Sequence, residues 1–378
     1  MKIKCLYAST EKSSDALYLS GISIPDDFLV LVIGRRRIAV VSQLEYSRVK
    51  RHSRFSEVYE MSALKSKLAS SSQLQKRAIG IPEIIASFFR STKATSLLIP
   101  YSFPSGLLFE VQSLKLPIEI QKEPFIAERA LKTEDEVNYI KASNNAISYG
   151  FRAAKSALAS AKIKNKRMYL DGSVLTSEYL RNLIDKAVFE RGAVAQSTIV
   201  ACGNQACDPH QIGYGPLKPN ELIIVDIFPR SRKSHYFGDM TRTFLKGSAN
   251  DAQKAIVQSV QKAQKNALSK IKDRVKASRV HSAVIASFEG DGFYTGRDES
   301  TDSYYGFIHS TGHGVGLDIH EAPSLSKSGN SLKKGHVITV EPGLYYPNIG
   351  ACRIEDVVLV TDTGFEKLSS FPYQWQIQ

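Results

Sequence analysis

Long apolar runs and paired cysteines are what this sequence lacks. Its 378 residues include four cysteines and one tryptophan. The longest apolar stretches, such as residues 28–34, fall far short of the roughly 20 residues that a membrane-spanning helix needs. The opening residues, MKIKCLYASTEKSS, lack the apolar core of a signal peptide. No cysteine belongs to a C-x-x-C pair, so we expect neither a disulfide framework nor a structural zinc site. We predict a reduced, cytoplasmic protein with no membrane contact.

The sequence is basic rather than acidic. It has 50 lysines and arginines against 37 acidic residues, a net charge of +13. The excess is spread along the chain, apart from clusters at 35–37 and 50–51, and no aromatic RNA-binding signature accompanies it. We therefore interpret the charge as a solvated surface and do not expect a nucleic-acid partner. With 43% hydrophobic and 23% charged residues, the composition is that of a globular protein, and the length favours two domains.

The first 125 residues alternate short apolar runs with turns. Residues 28–34 and 37–42 predict two strands around a basic turn, and residues 96–100 predict a third strand. Residues 81–90 predict a short helix. Strands that alternate with helices are typical of a small α/β domain, which we place at residues 1–125.

The pattern changes after residue 125. Thr133 and Glu136 have the spacing of a capping box, in which the two side chains satisfy each other's backbone at the start of a helix. Apolar residues then recur with helical spacing from 137 to 158, which predicts a long helix. We place the domain boundary before this helix and assign residues 126–378 to a second domain. A further amphipathic helix is predicted from Ala249–Asp251 to Val275.

Two acids in a predicted hairpin are the first indication of a functional site. Asp226 stands in the middle of an apolar strand, ELIIVDIF, where a carboxylate is unfavourable unless it is paired or binds a metal. A turn with Pro229 and Gly238 follows, and Asp239 then opens an alternating segment, DMTRTF. Strand, turn and strand predict a β-hairpin that brings both carboxylates to one face.

Three histidines lie among glycines in the segment HSTGHGVGLDIHE. They are His309, His313 and His320. The i, i+4 spacing of the first two is that of a helical zinc site, but the glycines at 312, 314 and 316 disfavour a helix. Glycines instead permit close backbone approach beside a ligand. A single histidine is more often structural, but three within this segment favour a functional interpretation.

Two more acids complete the pattern. Glu341 stands at the end of an apolar strand, HVITVE, and Arg353 and Glu355 share one face of the strand CRIEDVVLV. Each acid alone is more often part of a salt bridge. Together, two Asp, two Glu and one His at strand positions suit two hard or borderline divalent cations that share carboxylates. Two such cations activate a bridging water and polarise a carbonyl, so the pattern predicts a two-metal hydrolase.

The ordered motifs resemble those of a known family. VDIF…FGDMTRTF, HSTGHGVGLDIHE, VEPGLYY and RIEDVVLV are similar to motifs of the M24 metallopeptidases, which include methionine aminopeptidase, aminopeptidase P and prolidase. The resemblance covers residues 125–370 and is looser in the first domain, through DALYLSGISIPDDFLVLV. It implies an α/β, creatinase-like N-terminal domain followed by an α+β catalytic domain with the pita-bread fold.

The resemblance also implies a set of metal ligands. By position these are Asp226, Asp239, His313, Glu341 and Glu355. Asp239 and Glu355 would bridge two ions. Thr241 would bond a metal carboxylate. Arg353 would belong to the substrate-binding residues and would hold Glu355 or another ligand in place.

Catalytic and substrate-binding roles follow from the same resemblance. His210, on a loop before the first metal strand, and His320 would stabilise the oxyanion and orient the ligand. Glu341 would take up the proton of the nucleophile. His309 would line the pocket near the proline ring.

The sequence departs from the family pattern in three places. Asp226 and Asp239 are thirteen residues apart, two more than is usual, which preserves strand parity and keeps both acids on one face. Phe228 stands where the family usually has glycine. The Pro-Gly that usually follows the second-domain helix is absent, and residues 275–279 read VKASR. These differences affect the expected pocket shape rather than the ligand set.

The implied function is a di-metal exopeptidase that hydrolyses the Xaa-Pro bond of dipeptides or short peptides through a metal-bridging hydroxide. Its cofactors would be two divalent ions, Mn²⁺ first, with Co²⁺, Zn²⁺ or Fe²⁺ also suited to the ligands. Two-domain relatives commonly pair, so a homodimer is expected. Methionine aminopeptidase activity is an alternative, disfavoured because that subgroup usually lacks such a first domain. A non-catalytic binding module is another, disfavoured because all five ligands are present. Dipeptides are slightly preferred over longer chains as substrates.

Overall fold

The computed structural model describes residues 1–71, 79–122, 124–300 and 302–378. Contacts divide the chain into two units, Met1–Arg129 and Ala130–Gln378, called unit 1 and unit 2 below. Within the described ranges, no helix is both long enough and apolar enough to cross a membrane.

A six-stranded mixed sheet forms the centre of unit 1. Its strands are β1 Lys2–Ala8, β2 Phe28–Ile33, β3 Arg36–Val41, β4 Glu57–Glu60, β5 Ser96–Pro100 and β6 Ile118–Gln121. Its helices are α1 Ser14–Ser20, α2 Gln43–His52, α3 Met61–Ser71, α4 Ile81–Arg90 and α5 Ser105–Ser113. The sheet order is β4-β3-β2-β1-β5-β6, with β1–β2 and β2–β3 antiparallel and the other pairs parallel. The three strands and the helix that the apolar runs predict are β2, β3, β5 and α4.

Unit 2 consists of four longer helices and many short strands. The helices are α6 Glu134–Ser160, α7 Ser177–Phe189, α8 Asp251–Leu268 and α9 Ala277–Gly290. The strands before α8 are β7 Lys162–Lys164, β8 Arg167–Leu170, β9 Ser173–Val174, β10 Ala193–Val194, β11 Ile199–Cys202, β12 Ile223–Ile227, β13 Arg230–Ser231 and β14 Met240–Lys246. Those after α9 are β15 Gly296–Asp298, β16 Ser303–Tyr305, β17 His313–Gly314, β18 Glu321–Ser324, β19 Val337–Val340, β20 Gly343–Tyr346, β21 Gly350–Arg353, β22 Asp356–Val360, β23 Phe365–Lys367 and β24 Gln376–Ile377.

Two sheets, each packed against a helix pair, form the core of unit 2. The sheet β11-β12-β14-β24 packs against α6 and α7, with Phe151 and Phe244 fully buried between them. The sheet β18-β17-β19-β22-β23 packs against α8 and α9 around Val260 and Val358. The backbone N–H of Glu355 donates to the carbonyl of Thr241 at 3.1 Å, which joins the two layers.

The long helix α6 begins with the predicted cap. Thr133 accepts a hydrogen bond from the backbone N–H of Glu136, and Glu136 accepts one from the backbone N–H of Thr133. Three acidic residues follow in the first turn, where they oppose the positive end of the helix dipole. The cap therefore fixes the start of the helix that packs against β12, the strand of Asp226.

The prediction for the next helix was wrong at its end. α8 stops at Leu268 rather than at Val275, and α9, which was not predicted, follows after a turn. Arg274 in that turn has a φ of 63°, a left-handed conformation that a helix does not contain. Ile271 is nevertheless buried in the core beside α8, so the apolar spacing continued beyond the helix itself.

Candidate metal centre

The predicted hairpin places two carboxylates on one face. β12 and β14 pair antiparallel with Asp226 opposite Thr241, so Asp239, two residues before Thr241, shares the face of Asp226. Both carboxylates are buried in unit 2. The backbone N–H of Asp239 donates to the side-chain oxygen of Asn144 on α6 at 3.0 Å. The longer turn therefore preserves the arrangement that strand parity predicts.

The glycine-rich histidine segment is not helical, as its glycines predict. Added to Gly312, a Cβ would lie 2.0 Å from the carbonyl oxygen of Thr339, and at Gly314 it would lie 2.3 Å from that of Ala322. The backbone thus approaches its neighbours too closely for any side chain there. His313 Nδ1 faces the carbonyl of Gly314 at 3.1 Å, which leaves Nε2 directed toward the acids.

The two glutamates come from segments where strands end. Glu341 directly follows β19, and Glu355 lies between β21 and β22, whereas the sequence predicts one continuous strand there. The backbone turns there because Ile354 and Glu355 donate to Pro342 and Thr241 instead of to a ladder partner. Thr241 Oγ1 donates to Glu355 Oε2 at 2.8 Å, the carboxylate contact that the resemblance implies.

The five predicted ligand side chains meet in one cavity of about 560 Å³. One ligand atom from each of Asp239, His313 and Glu355 lies within 4.8 Å of the others, a spacing that fits a single metal ion. His313 Nε2 lies 3.7 Å from Asp239 Oδ2 and 3.4 Å from Glu341 Oε1. Asp226 lines the same cavity from the opposite strand.

Negative charge is in excess in this cavity. Of the described residues that line it, four are carboxylates and Arg353 alone is permanently cationic. Burial and the neighbouring carboxylates raise the pKa of Asp239 and of Glu355 well above their usual range. Burial raises the pKa of Glu341 to about 7, against the opposing effect of Arg353. Buried carboxylates this close require positive charge or protons to be stable.

Arg353 contacts the predicted ligand Asp226 rather than Glu355. Its Nη2 donates to Asp226 Oδ2 at 2.7 Å, whereas Glu355 is held by Thr241. Its Nη1 donates to the hydroxyl of Tyr345 at 2.9 Å, and that hydroxyl lies 2.8 Å from His309 Nε2. A buried hydrogen-bonded chain thus runs from His309 to Asp226.

The other predicted histidines border the same cavity. His210 reaches it from the loop after β11, and His320 packs edge-to-face on His313 with ring centroids 4.3 Å apart. Burial and the positive charge of Arg353 lower the pKa of His309 to about 3, and burial also lowers that of His320. Both imidazoles are therefore neutral near pH 7.

A second cavity adjoins the metal centre. It measures about 780 Å³ and shares residues 308–310 with the first. Aromatic rings provide much of its lining, including Phe288, Tyr304 and Phe307. Lys327 lies on its wall as a cation.

Two residues of the site were missed at the sequence level. Tyr345 belongs to the VEPGLYY motif, but nothing in its spacing indicated the contact with Arg353 and His309. Asn144, on the buried face of α6, is distant in sequence from the acids it supports. A polar residue on the buried face of an amphipathic helix is the signal that would have found it.

Comparisons with known proteins indicate one family. A sequence model of metallopeptidase family M24 matches residues 138–362. The chain belongs to family M24. An Xaa-Pro dipeptidase of Pyrococcus horikoshii is 29% identical over 95% of this chain and 91% of its own length. One from Pyrococcus furiosus is 30% identical over the same shares. The solved prolidase structure from Pyrococcus horikoshii covers 99% of this chain and 95% of its own, with 25% identity and a TM-score of 0.77.

Membership of family M24 confirms several expectations. The chain is a hydrolytic enzyme, a peptidase that depends on divalent metal ions. The expected fold class, an α/β first domain followed by an α+β pita-bread catalytic domain, is also confirmed. The individual site assignments stay predictions, although the predicted ligands lie together.

Proposed function

We propose that this family M24 enzyme is an exopeptidase that hydrolyses the Xaa-Pro bond of dipeptides and short peptides. The observation that carries the proposal is the cluster of four carboxylates and His313 at the junction of two sheets, in which Asp226, Asp239 and Glu355 are buried. The names of the Pyrococcus relatives, Xaa-Pro dipeptidases, support the choice of substrate.

The residues present fit divalent cations. Asp226 Oδ1 is buried and has no hydrogen-bond partner among the described residues, so it has a lone pair free for a metal. The excess of carboxylates over Arg353 supplies the charge that such ions need. Asp226, Asp239, His313, Glu341 and Glu355 would hold two ions, with Asp239 and Glu355 shared. The oxygen-rich set favours Mn²⁺, and Co²⁺, Zn²⁺ and Fe²⁺ are the competing occupants.

Bound divalent cations would activate a water molecule and polarise the scissile carbonyl. Glu341 accepts the proton of the attacking water on its carboxylate and delivers it to the proline nitrogen as the bond breaks. His210 and His320 donate hydrogen bonds to the oxygen on which negative charge develops. Arg353 fixes Asp226 by its 2.7 Å hydrogen bond, so the carboxylate keeps its direction while charge moves nearby.

His309 suits the proline side of the substrate. Its ring packs against Phe307 and Tyr345, with centroids 5.2 and 5.4 Å away, and its Nε2 is occupied by the tyrosine hydroxyl. The ring therefore offers a rigid face rather than a free hydrogen-bonding atom. A rigid face selects a pyrrolidine ring, whose fixed φ and missing N–H leave shape as the main feature to recognise.

The decisive experiment compares Ala-Pro with Ala-Ala. We expect metal-dependent hydrolysis of Ala-Pro, abolished by chelation and restored by Mn²⁺, with Ala-Ala cleaved far more slowly. Equal cleavage of the two peptides would contradict the proposed specificity. Hydrolysis of Met-Ala-Ser but not Ala-Pro would favour the methionine aminopeptidase alternative, and no hydrolysis by metal-loaded protein would favour the binding module.

A specific observation favours a second substrate class, longer Xaa-Pro peptides. The 780 Å³ cavity adjoins the metal centre and is large enough for residues that follow proline. Lys327 offers a cation for a carboxyl terminus there. Peptide length is therefore tested by comparing a dipeptide with a tetrapeptide.

We further propose that residues 1–125 are a creatinase-like N-terminal domain and residues 126–378 the catalytic domain. The division of contacts after Arg129 supports a boundary close to this position. The proposed homodimer is tested by light scattering at micromolar concentration, where a monomer would contradict it. The proposed cytoplasmic location is supported by the four cysteines, all free, and is tested by cell fractionation.

A further inference from the structure

Lys132 and Glu321 form a buried ion pair outside the carboxylate cluster. Lys132 Nζ donates to Glu321 Oε1, and the two side chains retain only 1% and 10% of their exposure. Ions removed from water to this degree cost free energy that only close, well-held geometry offsets. Neither residue lines the cavity of the metal centre. The mechanism proposed above therefore makes no use of either one.

Lys132 is held in position by its backbone. It lies immediately before the cap of α6, and its N–H donates to the carbonyl of Gly335 at 2.8 Å. Leu131 pairs with His336, the residue that precedes β19. The ammonium group therefore projects from a segment fixed at both the helix start and the strand that leads to Glu341.

Glu321 lies at the base of the loop that ends at His320. It opens β18 and pairs with Gly314 on β17, so residues 315–320 form a loop closed at its base by this pair. The Glu321 carboxylate packs directly on Gly316 inside the loop, where an added Cβ would lie 2.6 Å from Oε1 and 2.8 Å from Oε2. If the Glu321 carboxylate moved, it would therefore lose its contact with the backbone at Gly316.

The same loop is hydrogen-bonded to the hairpin that carries Asp226 and Asp239. Phe237 lies two residues before Asp239, and its backbone N–H donates to the carbonyl of Gly316 at 2.8 Å. His320 ends the loop and packs edge-to-face on the ligand His313 at 4.3 Å between centroids. Movement of the loop would therefore move His320 relative to His313.

We propose that Lys132 is a positioning residue, which acts through Glu321 and the 315–320 loop to orient His320 at the metal centre. The inference deepens the proposed function, on which it rests. Nothing in the reaction needs the ammonium group itself. Its effect is the direction of an imidazole that stabilises charge in the transition state, so kcat is more sensitive than KM.

The first test replaces Lys132 with Met or Arg. We expect Lys132→Met to lower kcat for Ala-Pro by about tenfold to a hundredfold with little change in KM or metal content, since outer contacts of a site have effects of this size. Lys132→Arg should restore most of the loss because it keeps the cation. Lys141→Met, which breaks an exposed pair with Glu366 in unit 2, is the matched control and should leave kcat unchanged. Unchanged kcat in Lys132→Met would overturn the proposal.

A double variant separates positioning from stability. Lys132→Met alone should also lower the thermal unfolding midpoint, because it removes the cation that faces a buried carboxylate. Lys132→Met combined with Glu321→Met should recover the midpoint, since an apolar pair of similar volume replaces the ions, but should not recover kcat. Recovery of kcat together with the midpoint would show a purely structural role and refute the inference.

Two further measurements test the same contact, one through activity and one without substrate. Gly316→Ala should reproduce the kcat loss, because its Cβ would displace the Glu321 carboxylate. Gly290→Ala is the control and should not lower kcat, since an added Cβ there would have no atom within 4 Å. The imidazole NMR signal of His320, assigned through His320→Gln, should shift in Lys132→Met and not in Lys141→Met. A parent protein without Ala-Pro hydrolysis would refute the proposed function, and an unshifted His320 signal would refute the positioning role.

Discussion

At the residue scale, three of the four acids of the candidate metal centre have different supports. Asp226 is bonded by Arg353, Glu355 by Thr241, and Asp239 is set by the backbone contact with Asn144. One carboxylate oxygen of Asp239 also lies within 4.8 Å of ligand atoms of both His313 and Glu355. Removal of its charge should therefore change both metal binding and the repulsion among the remaining acids.

Asp239→Asn tests that position. We expect its metal content to fall and kcat/KM for Ala-Pro to drop by more than about a hundredfold. The metal-free variant should unfold at a higher temperature than the metal-free parent, because it removes one charge from a buried, mutually repelling group. Calorimetry and metal analysis check both. Asp291→Asn, whose side chain pairs with Lys262 away from the site, is the control, and normal metal content in Asp239→Asn would contradict the ligand assignment.

His336 predicts a pH dependence of stability. Burial, and then the charges of Lys132 and Lys333, lower its pKa to about 4, below the roughly 6.5 of an unfolded histidine. Between these values the unfolded chain binds more protons, so stability is full above pH 6.5 and is lost as the pH falls. His336→Asn keeps an acceptor for the N–H of Lys333 and removes the titration. From pH 7 to pH 5 the difference is about 2 kcal/mol, so the parent should lose about 4–8 °C more in unfolding midpoint than the variant. An equal loss in both would contradict the assignment.

The sequence predicted which residues meet in the cavity better than it predicted the contacts of those residues. Acids in apolar strands and a histidine among glycines are visible locally, because a buried charge is costly wherever it occurs. The partners of those acids are not visible. Arg353 bonds Asp226, which is 127 residues away in the sequence, rather than Glu355, its near neighbour, and neither spacing nor composition encodes a contact over that separation.

At the scale of elements, the cap of α6 links helix stability to the site. Thr133→Ala removes the side-chain acceptor of the capping box, a loss of about 1 kcal/mol. We expect a midpoint about 2–4 °C lower, since the domain is large, with kcat reduced less than in Asp239→Asn. Ser156→Ala on the exposed face of the same helix is the control and should not lower the midpoint. A midpoint unchanged in Thr133→Ala would show that the cap contributes nothing measurable.

Strands and helices with strong local signals were predicted closely. α4 matches its predicted bounds, and β2, β3 and β5 match within one residue. The errors lie where a tertiary contact overrides the pattern. The apolar spacing past Leu268 reflects Ile271 packing from a turn, and the CRIEDVVLV segment divides because residues 354 and 355 bond outside their own sheet.

At the scale of the whole molecule, the question is how much peptide the enzyme accepts. The metal-centre cavity of about 560 Å³ is large enough for a dipeptide, and the larger aromatic cavity beside it offers room for further residues. A ligand that fills only the first cavity loses nothing if the second is altered. Variants of the second cavity therefore report on long substrates alone.

The last prediction uses that difference. We expect kcat/KM for Ala-Pro to exceed that for Ala-Pro-Ala-Ala, because the dipeptide fits within the metal-centre cavity and orders fewer rotatable bonds. Tyr304 forms an exposed wall of the aromatic cavity, so Tyr304→Ala should leave the value for Ala-Pro unchanged and alter only the value for the tetrapeptide. Tyr101→Ala, at an exposed tyrosine of unit 1, is the matched control and should change neither value. A parent preference for the tetrapeptide, reduced in Tyr304→Ala, would instead identify an Xaa-Pro aminopeptidase that uses the second cavity. Both outcomes retain proline specificity, and steady-state kinetics with the two peptides separates them.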